Sequence, residues 1–153
     1  MKALAILLCT GVFAAGCANG NPQSGATPSP AASAKTVAYP ALLNGRSIFQ
    51  TGRDLSGVRM TAARRPLRPS CAACHLPNGA GGVHLPGGAV SADLRHKALV
   101  TDQKHPYTLA LLERAISTGV DNEGKPLNPV MPRWRMSSRD LHDVAQYVLM
   151  QLK

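Results

Sequence analysis

Five consecutive residues, Cys71-Ala72-Ala73-Cys74-His75, constrain this chain of 153 residues more than anything else in it. C-x-x-C-H is the attachment pattern of c-type haem. The spacing lets two thiols reach the two vinyl groups on one edge of a porphyrin, while the next residue swings an imidazole under the iron. By composition alone, such a match arises in about 3 of 1,000 chains of this length. The chain has four cysteines. Cys9 falls in an export signal and Cys17 at its end, so none is left for a disulfide. A thioredoxin-type motif would sit in alternating strands and helices, which are absent. A structural zinc site would need a second C-x-x-C or an H-x₃₋₅-H partner. His75, His84, His96, His105 and His142 are not spaced that way. The expectation is one covalently bound haem c.

Composition agrees. The chain has one Trp, three Tyr and two Phe, beside 12 Pro and 14 Gly. An aromatic-rich sandwich core is excluded, and a large apolar cofactor would fill the middle of the fold instead. No apolar run reaches the ~20 residues of a bilayer span.

The N-terminus carries Lys2, an apolar stretch Ala3–Ala15, and then Gly16 and Cys17. This reads as a secretory signal over residues 1–16. Ala14-Ala15-Gly16-Cys17 resembles a bacterial lipobox, in which the cysteine is lipidated and the chain is cut just before it. An ordinary cut after an A-x-A-like site would instead leave a soluble protein; the Gly16-Cys17 pair favours lipidation of Cys17. Ala18 after the cysteine then points to the outer membrane of a Gram-negative cell. Residues 18–38 are small and polar with one charge, Lys35, and no periodicity. Residues 17–38 therefore read as a lipidated cysteine and a disordered linker, with a reach of about 25 Å for a flexible coil. The domain proper is expected over residues 39–153.

Within it the patterns are helical. A first short helix is predicted between Tyr39 and Gly52, with Asn44 as N-cap and Gly45 and Phe49 on one face. A second runs from about Pro106 to Thr118, with Leu109, Leu112, Ala115 and Ile116 on one face and Gly119 ending it. The last is clearest: Leu141, Val144, Ala145, Val148, Leu149 and Leu152 follow a helical period, Ser137 caps it, Met136 staples onto Leu141, and Tyr147 leans onto the first helix. No strand of convincing alternation appears. The fold class is all-α, with three to four helices around the haem and long Gly- and Pro-rich loops.

From about Asn44 to Lys153 the chain resembles a class I, monohaem bacterial cytochrome c. Gly45 and Phe49, the C-x-x-C-H motif, Gly119-Val120-Asp121, Gly124, Leu127, Met131-Pro132-Arg133-Trp134, Ser137, Asp140-Leu141 and Tyr147 carry the likeness. The departure is an enlarged segment, Arg53 to Ser70. The resemblance implies His75 and Met131 as axial ligands of the iron and Cys71 and Cys74 as its thioether anchors. Pro129 and Pro132 stiffen the chain around Met131, as a weak thioether ligand requires. Met136, Met60 and His84 are the alternatives. The resemblance further implies that the Pro86 carbonyl orients His75. Arg133 and Trp134 read either as partners of the haem propionates or as a solvated arginine beside a packed indole. Asp121, Asn122 and Glu123 read as a turn, because the spaced carboxylates of a calcium loop are missing.

The net charge is +9, and no Asp or Glu occurs between Leu55 and Ala92, where Arg59, Arg64, Arg65 and Arg68 fall. This is either a solvated loop or a field that steers acidic redox partner proteins to the haem edge. Nucleic-acid binding is not expected in an exported chain without a nucleic-acid motif, and no small-molecule substrate is implied. The functional expectation is a periplasmic or membrane-tethered electron carrier, not an enzyme, whose single haem cycles Fe(III)/Fe(II). The alternatives are a cytochrome subunit of a dehydrogenase or oxidase complex, and a haem enzyme or gas sensor with a labile sixth ligand.

Overall fold

The computed structural model describes the backbone of residues 30–153 and the side chains from residue 40 onward. The expected signal over residues 1–16, Cys17 with its expected lipidation, and residues 18–29 lie outside the described residues.

Helix α1 spans Pro30–Thr51. It begins inside the stretch read as linker, so residues 30–38 are helical rather than disordered. Ala31, Ala32 and Ala34 are strong helix formers, and proline is well tolerated in a first turn. Pro40 lies inside the helix, where it removes one ladder bond and crowds the preceding turn. Asn44 is therefore not an N-cap; it sits mid-helix and buried, 9% exposed. Its amide donates to Asp140 Oδ1 and to Asp143 Oδ2, both at 2.9 Å, and its Oδ1 accepts the Leu55 N–H at 2.9 Å. One side chain thus joins α1, the last helix and the loop after α1. The helix ends as expected at Gly52, whose φ of 73° suits glycine.

The C-x-x-C-H motif forms a single turn, α2 (Ala72–His75). A 3₁₀ turn at Pro86–Gly88 and a π turn at Lys97–Thr101 follow. Helix α3 covers Leu109–Thr118. It starts three residues later than Pro106, because Thr108 provides the cap by accepting the Leu111 N–H. Gly119 ends it in the left-handed conformation, and Leu112, Ala115 and Ile116 are buried as the pattern required. Helix α4 covers Ser138–Gln151, with Ser137 accepting the Asp140 N–H.

Two short strands, β1 (Thr61–Ala62) and β2 (Trp134–Arg135), pair antiparallel with Ala62 opposite Trp134. This pairing ties the enlarged Arg53–Ser70 segment to the chain just after Met131. The frame of the fold is the crossing of α1 and α4. A Cβ on Gly45 would collide with the Asp143 carbonyl oxygen, so glycine sets how closely the two helices approach. One turn on, the rings of Phe49 and Tyr147 meet with centroids 5.6 Å apart. Phe49, Ile48 and Val144 are the largest fully buried side chains.

Candidate functional site

A cavity of about 500 Å³ opens between these elements. Phe49 of α1, Leu112 and Ile116 of α3, Val144 and Val148 of α4, and Trp134 of β2 supply apolar wall. Cys71, Cys74, His75 and Met131 all face this same cavity. The other methionines with described side chains do not: Met60 and Met136 line a second, smaller hollow beside Ile48 and Asp140, and Met150 is 57% exposed. His84 is exposed and does not line the cavity.

Each thiol and the imidazole are set by local backbone. Within α2 the amides of Cys74 and His75 both bond to the Cys71 carbonyl, at 3.1 and 2.8 Å. Ser70 Oγ accepts the Ala73 N–H at 3.3 Å. Ser91 spans from the facing loop: its hydroxyl donates to the Cys74 carbonyl at 2.8 Å and accepts the Val83 N–H at 2.9 Å. His75 Nδ1 lies 2.8 Å from the Ala92 carbonyl oxygen. A carbonyl only accepts, so Nδ1 carries the proton and Nε2 keeps a lone pair. The orienting carbonyl is therefore that of Ala92, not of Pro86. Pro86 opens the 3₁₀ turn, is exposed, and does not line the cavity.

Electrostatics favour neutral groups. Burial pushes the Cys71 thiol up to about 12, and desolvation also raises Cys74, with nearby Arg68 opposing it. Burial lowers His75 against the pull of the Ala92 carbonyl. At neutral pH the site thus presents two protonated thiols and a neutral imidazole in an apolar hollow. Among the described residues no cluster of His, Cys, Asp or Glu is placed to hold a bare metal ion. The donor set fits a large apolar group that brings its own metal. The volume falls within the ~300–1,000 Å³ of pockets for cofactors and similar small molecules.

Trp134 is 5% exposed and borders the cavity, with no hydrogen bond from its indole among the described residues. Arg133 does not line the cavity. Its guanidinium donates to the carbonyls of Met131 at 2.6 Å and Leu127 at 2.9 Å instead. Sequence reasoning missed Ser91 and Ala92, whose contributions are a common hydroxyl and a backbone oxygen. Asp121 forms the expected turn, accepting the amides of Glu123 and Lys125 on Oδ1.

A family model described as Cytochrome c matches residues 42–151. Comparison with curated proteins and with solved structures gave no match. The matched span covers most of the chain and contains the whole cavity with its two thiols, imidazole and thioether. The chain therefore belongs to the cytochrome c family, whose covalent haem c serves electron transfer rather than catalysis.

Proposed function

We propose that the protein is an exported, membrane-tethered electron carrier with one haem c, held by thioethers to Cys71 and Cys74 and ligated axially by His75 and Met131. The observation that carries this reading is convergence: of the methionines with described side chains only Met131 shares the cavity with Cys71, Cys74 and His75. The haem supplies an iron that changes oxidation state by one electron. The chain supplies what surrounds it. The Ala92 carbonyl draws on the His75 Nδ1 proton, which makes the imidazole a better donor at Nε2. The apolar wall excludes water and lowers the local dielectric, which disfavours the more highly charged ferric state. A thioether ligand further favours the reduced state and keeps the potential above that of a bis-histidine site.

Electrons enter and leave at the rim of the cavity, where Leu67 and Val90 are 56% and 54% exposed. Arg64, Arg65 and Arg68, all exposed, lie in the same segment as Leu67. An apolar patch bordered by positive charge suits brief, salt-sensitive contact with acidic redox proteins. Cys17, if lipidated, tethers the domain to a membrane through the residues before α1.

The experiment is an absorption spectrum of the mature holoprotein and of Met131→Ala. Wild type should give a pyridine haemochrome of the c type and the far-red sulfur-to-iron band in the ferric state. Met131→Ala should lose that band and bind CO rapidly when reduced. Retention of the band in the variant overturns Met131 as ligand.

A further inference from the structure

The structure assigns Arg133 a task that the haem-carrying reading leaves open: we propose that it is a positioning residue, clamping the Met131 loop to the C-terminal end of α3. The inference rests on Met131 being the sixth ligand. A thioether is a weak and neutral ligand on a side chain with three rotatable bonds. Its hold on the iron depends on how firmly the backbone beneath it is fixed.

Little regular structure fixes it. Met131 lies between α3 and β2, in a stretch bearing Pro129 and Pro132 and outside any helix. The loop instead closes around one guanidinium. Arg133 donates from one terminal nitrogen to the Met131 carbonyl at 2.6 Å and, more loosely, to that of Asn128 at 3.5 Å. Its other terminal nitrogen reaches the Leu127 carbonyl at 2.9 Å. The Asn128 side chain accepts the Val130 amide at 2.9 Å, and the Met131 amide bonds to the Asn128 carbonyl at 3.0 Å, so the turn is stitched from both sides.

The far end of the clamp is rigid. Leu127 N–H donates to the Gly119 carbonyl at 2.8 Å, and Val120 pairs with Pro126 across the intervening hairpin. Gly119 is the left-handed cap of α3, and the shaft and guanidinium of Arg133 lie against it so closely that any Cβ there would overlap them. Glycine at position 119 thus serves twice, turning the chain and making room for the arginine. The planar fork of arginine reaches two carbonyls from one fixed position, which the single ammonium of lysine does not. A guanidinium engaged in this way, off the cavity wall, is not available as a propionate partner in the conformation seen.

The test is the affinity of exogenous imidazole for the ferric holoprotein, which competes with the thioether for the iron, measured with urea unfolding on wild type, Arg133→Ala, Arg133→Lys and Met131→Ala. Arg133→Ala should bind imidazole about tenfold more tightly than wild type, equivalent to about 1.4 kcal/mol. Arg133→Lys, which keeps the charge and should keep the fold, should also bind more tightly, by about threefold to tenfold. The far-red band of both should weaken or shift while the c-type haemochrome is unchanged. A purely structural arginine would lower the urea midpoint and leave imidazole affinity within twofold of wild type in both variants, and that result overturns the clamp. If Arg133→Ala does not accumulate, the lysine variant alone decides. A far-red band that survives in Met131→Ala overturns the ligand reading itself. Loss of the band there, with unaltered imidazole affinity in the arginine variants, overturns only the clamp.

Discussion

Where α1 crosses α4, backbone lies against backbone at Gly45, and the contact is sealed by Phe49, Tyr147 and Val144. The cavity wall between His75 and Met131 is made otherwise. Beyond the helix and strand residues that border the cavity it consists of single turns and loops, held by side chains that reach carbonyls and amides: Ser91 to Cys74 and Val83, Asn128 to Val130, Arg133 to Leu127 and Met131. The helical frame buries much of its apolar surface on itself, with Phe49 and Val144 also bordering the cavity, so most of its stability is its own. The wall turns much of its apolar surface toward a cavity and therefore depends on what fills it. Changes in the frame should accordingly act on folding, and changes in the wall on the site.

The largest effect expected is Gly45→Ala. The new methyl group meets the Asp143 carbonyl, a backbone atom that moves only if α4 moves. Overpacking of this kind costs about 3 kcal/mol, read as a lower urea midpoint of the holoprotein. The far-red band of whatever remains folded should be unaltered, and a changed band with normal stability would dissolve the distinction between frame and wall.

Asn44→Ala comes next. Asp143 is 3% exposed, and among the described residues its one cationic partner is Arg139 at 3.9 Å, a side chain that is 81% exposed. Losing the Asn44 amide leaves a buried carboxylate short of a donor and the Leu55 amide without its acceptor, at a cost of about 2 kcal/mol. Asn44→Asp should be worse, since a third carboxyl group would face Asp140 and Asp143. If both variants unfold at the wild-type urea concentration, the network does not hold the frame.

This same division decides how much could be read in advance. Frame residues act through identity and spacing: Gly45 and Phe49 four apart, the apolar period from Leu141 to Leu152, and the Ser137 cap all have signatures in the chain itself. So does the five-residue haem motif. Asn44 misled because asparagine at a helix start is commoner than asparagine inside one, and its partners lie 96 and 99 residues away. The start of α1 misled because small residues with two nearby prolines fit a linker as well as a helix. In the wall the decisive groups are often carbonyl oxygens, which every residue possesses. Nothing at position 92 marks Ala92 over Pro86 as the acceptor for His75; only the path of the loop between them selects it. Arg133 was legible as a residue near Met131, but which way a long side chain folds depends on the empty space over Gly119.

Ser91→Ala sharpens the comparison from the wall side and has the smallest expected effect. The hydroxyl bridges the carbonyl of Cys74, the residue before the imidazole, and the amide of Val83, on a loop held besides only by the short Pro86–Gly88 turn, the His84–Val90 bridge and a few backbone bonds. Its loss removes two neutral hydrogen bonds, worth about 1 kcal/mol together after both freed groups rehydrate in part. That should be felt locally: amide exchange at Val83 should accelerate about fivefold, while amides of Ile48 and Val144 in the frame keep wild-type protection. The next residue along the chain, Ala92, is joined to His75 through its carbonyl, so a loosened residue 91 should also let the imidazole tilt and shift the reduction potential measurably. Uniform loss of protection across α1, α4 and the loop would mean that frame and wall unfold as one unit, and that the cavity is as much a part of the core as the helices that border it.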